Sequence, residues 1–599
     1  PIKVTKSDGS NEIIYKPTFL ENIRFFLNYQ VGHMYFRYFM WNFVGRQNDI
    51  EGHGGPREGN WLSGINFIDN WRLGDQSNLP PSMKNPAHNK FYFLPLLLGI
   101  IGLLYQWKRN YKDTLIVALL FFMTGLAIIV YLNQTPYQPR ERDYSYAASF
   151  YAFTIWIGLG VLALWELLSK KLNPGLSAIL VTLITLLLVP IIMAKEGWND
   201  HNRSNKYVAR DFAHNYLIGC DPNSILITYG DNDTFPLWYI QDVEGVRDDV
   251  RVANHMLASG SWYVQQLARK VNDSDPMPFT MTNDQYEGSS TEVAYFWDRG
   301  IPDHRELKEI INFIASESDN TKVRLGDRQI NYFPTKKVKM TVDKDAVLKS
   351  GTVPSYFADR IEPEIKWDIN QNYLSRNDLA VLDFIATNNW NRSLYFTSPR
   401  EILGALNADR YFHLEGFVYK FLPVEADHYY QGMGGVNVEA TYDAMMNKAR
   451  WGNISDPKVT VDRESMRNSF FPRQNFMRLA QALIDENKID SAVAVANRYL
   501  EVFPNEKFPY DRFTTAFTEV YYEADQIDKA NDLVRAIAEN FKAEIAYYSD
   551  QRPSIAAYYQ EELEIAMIML QRLAMSARAY EQEELADELY GFILMYSGK

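Results

Sequence analysis

Four apolar runs crowd into the first third of the 599-residue chain, and nothing else in the sequence limits its fold so strongly. They are Phe91–Trp107 (FYFLPLLLGIIGLLYQW), Thr114–Leu132 (TLIVALLFFMTGLAIIVYL), Ala147–Leu168 and Gly175–Ala194, and Glu166 is the one charge among them. At ~1.5 Å per helical residue even the shortest would reach about 25 Å, close to the hydrocarbon thickness of a bilayer. Buried helices of a large soluble protein are the competing explanation. Four such runs joined by short polar links favour a membrane instead, although the mean hydropathy of the whole chain is only -0.30.

The links set an expected orientation. "KRNYKD" (Lys108–Asp113) and "SKKLNPG" (Ser169–Gly175) are rich in Lys and Arg, which places them in the cytoplasm. The link between them, "NQTPYQPRERDYSYAASF" (Asn133–Phe150 with the start of the third run), has nearly balanced charges and is expected outside. The same parity puts residues 1–90 and everything after about Lys195 on the outer side, the periplasm of a bacterium. The chain opens at Pro1 without Met or signal peptide, so it reads as the C-terminal part of a longer polytopic protein. A single cysteine, Cys220, rules out an intramolecular disulfide and a Cys-based zinc cluster. A net charge of -13 argues against nucleic acid as a partner.

This length implies two to four domains. The expected division is an outer loop region with an aromatic helix (1–90), four transmembrane helices (91–194), a periplasmic α/β domain (195–471) and a helical repeat region (472–599). Residues 17–45 combine Phe, Tyr, Trp and Met with Arg24 and Arg37, which suits a helix lying in the headgroup layer and equally a buried amphipathic helix. "GRQNDIEGHGGPREGN" (Gly45–Asn60) is a polar, Gly-rich loop, and its His53 has no visible partner in the sequence. "SILITYGDNDTF", a helical stretch to about Val243, and "DDVRVANH" form a strand–helix–strand unit, which predicts a parallel, Rossmann-like sheet. "NRSLYFTSP" and "EGFVYKFLPV" are further strands of it, whereas 276–375 has no clear pattern. After Pro472, "LAQALIDENKIDSAVAVANRYLEVFP" and "FTEVYYEADQIDKANDLVRAIAENF" align with Ala492 on Ala530, and "EQEELADELYGFIL" ends a divergent third copy. Small residues at helix contacts beside a polar turn are tetratricopeptide-like.

Two motifs carry candidate chemistry. In "PRERDY", Arg140 and Arg142 sit where a lipid-linked sugar would present its phosphate, and a planar guanidinium binds phosphate oxygens in pairs. Glu141 or Asp143 would hold those forks or meet a sugar hydroxyl. The plainer explanation is arginines that snorkel to headgroups at span ends. Positive charge on the outer side runs against the orientation rule, which favours a built site. The second motif is "GDND". Asp231, Asn232 and Asp233 after a strand suit a divalent cation, Mg2+ or Mn2+, or a substrate contact, and equally a helix cap. Outside the cytoplasm, where nucleotide-sugars are scarce, capping or substrate contact is weighted over a catalytic metal. The sequence has no HExxH, Walker loop, GxSxG or GxGxxG pattern, and its nine histidines are scattered.

"RYFMWNFVGRQNDIEG", "PYQPRERDYSY" and "TYGDNDTFPLWYIQDVEGVRDDVRVAN" together resemble the DUF2723 family of Bacteroidota membrane proteins, regarded as protein O-mannosyltransferase-like enzymes of the GT-C class. The resemblance runs from about residue 17 to 425. It implies a GT-C-like transmembrane bundle in the bacterial inner membrane, with transfer of a sugar from a polyprenyl-phosphate donor to an acceptor polypeptide on the periplasmic face. It also implies a catalytic carboxylate in a region upstream of this chain, so no residue here is assigned as base. On that basis Arg140 and Arg142 neutralise the donor phosphate, while Asp143 and Tyr144 position the cluster. Two rivals stand beside it: a membrane-anchored scaffold that binds protein partners through its helical repeats, and a metal-dependent transferase centred on Asp231 and Asp233.

Overall fold

The computed structural model describes every residue except 1, 6–10, 137, 139, 289–290, 326–327, 403–407, 431 and 597–599, and the side chains of 2–5, 11–14, 325 and 328 are not considered. The chain parts into two compact units. One comprises Pro1–Ser204, Thr460–Glu464 and Ala536–Lys599, and the other Asn205–Val459 with Ser465–Arg535.

In the first unit, three helices are long and apolar enough to cross a membrane: Tyr111–Leu132, Asp143–Ser169 and Pro174–His201. Their outward residues are bare hydrocarbon. Ile116, Leu119 and Ile179 are 67%, 60% and 59% exposed, an arrangement costly in water and neutral in lipid. The sequence predicts four spans, and the difference lies at the first. Tyr92 and Phe93 turn into the left-handed region, so the run Phe91–Trp107 becomes helical only over Leu94–Arg109. Those 16 residues reach about 24 Å, short of the roughly 30 Å hydrocarbon core. This shorter helix packs closely on Asp143–Ser169. A Cβ added at Gly102 would lie 1.7 Å from the Trp156 carbonyl oxygen, and one at Gly160 2.2 Å from that of Leu98. Glycine at both positions permits the backbones to touch, as small residues do between membrane helices.

The aromatic segment forms one continuous rod: an α-helix Phe19–Phe25 capped by a Thr18–Glu21 box, a π-helix Phe26–Phe36 and an α-helix Arg37–Phe43. Its two halves answer the two expectations for 17–45 differently. Phe19 and Leu20 are 77% exposed, as a helix in the headgroup layer would be, whereas Tyr35 to Val44 are mostly buried. There Phe39 and Phe43 pack on Phe153 at ring distances of 4.9 and 4.6 Å, and Tyr35 bonds Ser149 at 2.7 Å.

The second unit is built on a six-stranded mixed sheet in the order Gly435–Val436, Phe412–Glu415, Val418–Phe421, Leu394–Phe396, Ile225–Thr228 and Arg251–Asn254. The last three strands are mutually parallel, and helix Asp231–Asp242 connects two of them. Val418–Phe421 runs antiparallel to both of its neighbours. The strands 225–228 and 251–254 are buried throughout, which is why they read as continuous apolar runs. The unpatterned 276–375 segment contributes short strands to a four-stranded and a three-stranded sheet, whose lengths of two to six residues leave little periodicity to read.

Three helical hairpins share one construction. Helices Phe470–Asp485 and Ile489–Val502 make the first, Ala516–Glu523 and Ile527–Ser549 the second, Gln560–Ala579 and Glu583–Tyr596 the third. Each turn places one residue at positive φ: Asn487, Asp525 and Glu581. Each then closes with a backbone bond, from Lys488 to Leu483, Gln526 to Tyr521 and Gln582 to Ala577, at 2.8 to 2.9 Å. This is the Schellman pattern. Five residues past each left-handed residue stand Ala492, Ala530 and Ala586, all fully buried. The alanine match in the sequence therefore marks equivalent helix contacts.

Candidate functional site

The link at 133–142 joins two of the candidate spans, and the structure shows what its charges do. Pro139, which opens the "PRERDY" cluster, and Tyr137 lie outside the described residues. Glu141 is held by Arg37, one of the two arginines of the aromatic segment. Arg37 grips it with both forks, Nη1 to Oε1 at 3.1 Å and Nη2 to Oε2 at 2.7 Å, and the Tyr38 hydroxyl also donates to Oε2. The side chains are 5% and 16% exposed, so the pair is essentially dry.

Arg37 is fixed on every side. Its Nε donates to the His33 carbonyl at 3.0 Å and its Nη1 to that of Gly59 at 3.0 Å, while its guanidinium lies over Tyr38 and Trp41 at 4.7 and 4.6 Å. Gly59 has φ +48°, and a Cβ there would come within 2.7 Å of the Ile50 carbonyl oxygen, so glycine is what lets this carbonyl reach Arg37. The Gly-rich loop is thus a folded support. Asn48 Oδ1 accepts from the amides of Ile50 and Gly59, and Glu58 accepts from those of His53 and Gly55.

Beside these supports lies an open pocket of about 140 Å³ lined by residues that include His33, Glu51, His53, Arg140 and Glu141. Glu51 Oε1 accepts from the Glu141 amide at 3.0 Å. Tyr29 gives its one hydroxyl proton to the Pro136 carbonyl at 2.7 Å, so His53 Nδ1, 3.0 Å from the same oxygen, is the donor and carries its proton there. His33 faces a carbonyl with Nε2, that of Gly52 at 2.9 Å, and burial reinforced by the charge of Arg37 pushes its imidazole down to about 4.

That depression has a consequence for stability. The folded His33 refuses a proton that the unfolded chain accepts below its ordinary value near 6.5, so stability falls as pH drops from about 6.5 to 4 and is complete above that window. The slope for one such group is at most ~1.4 kcal/mol per pH unit. Thermal unfolding in detergent at pH 7 and pH 5 is expected to show the loss in the wild type and a smaller one in His33→Gln.

The other residues of the cluster divide. Arg140 is exposed at the pocket rim and, among the described residues, makes no ion pair; its nearest ring is Tyr144, 5.9 Å away and itself exposed. Arg142 is half-buried, its amide accepted by the Tyr38 hydroxyl at 3.3 Å, and its buried Nε has no hydrogen-bond partner among the described residues. Asp143 opens a 3₁₀ turn at the head of Asp143–Ser169 and lies close enough to the half-buried Arg46 to favour its charge. The clamp on the cluster is therefore Arg37 with Tyr38, on a different helix from Asp143 and Tyr144. One sequence signal could have found it: Tyr29, His33 and Arg37 recur every four residues along an apolar helix, and the rings of Tyr29 and His33 stack at 5.1 Å.

The "GDND" residues belong to the second unit. Asp233 accepts from the amides of Tyr229 and Gly230, both at 2.9 Å, and from the Thr397 hydroxyl at 2.5 Å, so it closes the first turn of helix Asp231–Asp242 by reaching back to the N-cap Gly230. Asp231 and Asn232 are exposed at the carboxyl end of the parallel strands. Among the described residues no three His, Cys, Asp or Glu side chains are grouped to hold a metal ion.

The strands and helix that carry this turn lie within a stretch that a family model matches. Residues 209–440 match the family model of TMEM260-associated domain 2. No curated protein and no solved structure matches the chain. The matched stretch runs from helix Val208–Ile218 to helix Val438–Tyr442, and so takes in all six strands of the mixed sheet.

Proposed function

We propose that the protein is a membrane glycosyltransferase that takes a sugar from a polyprenyl-phosphate donor on the outer, periplasmic face of a bacterial inner membrane and passes it to an acceptor polypeptide. The observation that carries this reading is Arg140: an exposed guanidinium without an ion pair among the described residues, at the rim of a polar pocket beside two candidate spans. A lipid phosphate held at the bilayer surface is the ligand such a group suits, because it offers paired oxygens at that depth. Arg142 adds a buried Nε with no acceptor among the described residues. Glu141 has both oxygens occupied by Arg37 and Tyr38 and acts as the clamp that shapes the loop. No residue of the pocket is assigned as the base. The match to a domain named for a transmembrane protein is in keeping with this reading.

Binding of a polyprenyl-phosphate sugar to the detergent-solubilised chain tests it. Two charge-assisted contacts at about 1.5–3 kcal/mol each predict at least a tenfold loss of affinity in Arg140→Ala/Arg142→Ala. Equal binding by wild type and variant would return the cluster to a structural loop.

The three hairpins favour a second reading, a membrane-anchored scaffold that recruits proteins through its repeats. Capture of a stable partner by the wild type, lost on substitution of exposed residues within 472–599, together with no donor binding, would support it.

A further inference from the structure

The second unit holds a groove of about 430 Å³ between the segment leading into helix Val438–Tyr442 and the turn of the first helical hairpin. Its size is within the roughly 300–1,000 Å³ of small-ligand sites. Tyr356, 51% exposed, stands at one wall with its hydroxyl tied to Asn437 Oδ1 at 2.8 Å. Asn437 is only 2% exposed and is itself fixed, donating to the buried Glu415 at 2.8 Å. The phenol ring is thus braced from beneath and offers an apolar surface.

The polar groups around it come in opposed kinds. Arg360 pairs with Asp427 at 2.7 Å and Lys488 with Glu486 at 2.6 Å, so donors and acceptors are both present and hold one another in place. Glu439 and Asp485 add carboxylates without a cation partner among the described residues. His413, 2% exposed, donates from Nε2 to the Val424 carbonyl at 2.9 Å and is held behind the groove wall.

We infer that this groove is a binding site for a neutral oligosaccharide. A sugar needs donors and acceptors in comparable number, since each hydroxyl is both, around a ring whose C–H face stacks on an aromatic. The groove supplies all three. A cationic peptide fits it less well, because Arg360 and Lys488 neutralise two of the four carboxylates and would repel further positive charge. The site is separate from the donor pocket: the inference stands or falls on Tyr356 and Asp485, that reading on Arg140 and Arg142.

Saturation-transfer NMR on the full chain, in a zwitterionic detergent free of sugar headgroups, would use mannobiose, chitobiose and cellobiose as probes, with pentalysine as the competing class. Transfer to at least one disaccharide is expected, reduced at least fivefold in Tyr356→Ala. Asp485→Asn, which preserves size and removes a charge from an exposed turn, is expected to weaken it similarly and guards against misfolding of the first variant. No transfer to any of the three, equal transfer in wild type and Asp485→Asn, or binding of pentalysine alone would overturn the inference.

Discussion

Arg37→Ala is expected to lower the unfolding stability of the detergent-solubilised protein by about 3–5 kcal/mol, the cost of leaving a buried carboxylate without its partner. The side chain lies 5% exposed and Glu141 16% exposed, so water compensates little of the loss. Truncation also removes the guanidinium's bonds to the carbonyls of His33 and Gly59 and its stacking on Trp41. Thermal unfolding monitored by aromatic fluorescence reads the loss directly, since Tyr38 and Trp41 border the cavity. Arg37→Lys preserves the charge without the fork and is expected to recover only part of it. The double variant Arg37→Ala/Glu141→Ala is expected to be more stable than Arg37→Ala, because the uncompensated charge leaves with its partner. If the single and double variants were equally destabilised, the clamp would be a packing contact and the carboxylate irrelevant to it. Donor binding is expected to fall in Arg37→Ala as well, through the loop that Glu141 anchors.

The second large effect is expected at Arg478, a fully buried residue of helix Phe470–Asp485. Its Nη1 donates to the Tyr419 hydroxyl at 3.0 Å and its Nη2 to the carbonyls of Met433 and Gly434, each at 2.8 Å. One side chain therefore ties the first helical hairpin to the edge of the mixed sheet. Gly432 makes room for it, as a Cβ there would fall 2.7 Å from Cζ. Arg478→Ala leaves three acceptors unmet around a cavity the size of the lost side chain, which together cost about 3–5 kcal/mol. Hydrogen exchange over Phe470–Val502 is the proper readout, because a local opening of the hairpin would precede global unfolding. Faster exchange confined to those helices is expected; protection equal to wild type would mean the hairpin holds to the sheet by apolar contact alone.

Much of the architecture was legible because it is written in local pattern. Three of the apolar runs became helices long and apolar enough to cross a membrane, and the buried strands at 225–228 and 251–254 stood out as unbroken apolar segments flanking a helix. The repeat survived divergence since the small residue at Ala492, Ala530 and Ala586 answers to one helix contact made three times. The shortened helix at Leu94–Arg109 was not legible: hydropathy cannot register that Tyr92 and Phe93 leave the helical region. Nor could composition separate the two halves of Phe19–Phe43, both aromatic, one exposed and one buried.

The site followed a different rule. By itself the sequence determined that charges gather at Arg140–Asp143 between two candidate spans and that an acidic turn follows a strand at Asp231–Asp233. Only the tertiary structure decided what those charges do. Arg37 and Glu141 are 104 residues apart, and Arg478 lies 59 from Tyr419. No periodicity relates such partners, because a contact between distant segments depends on how helices pack rather than on the residues beside it in the chain. The acidic turn shows the reverse case. Its Asp233 closes the first turn of a helix by reaching back three residues to Gly230, a local bond that local sequence could offer as one of its two readings, and packing against Thr397 completed it.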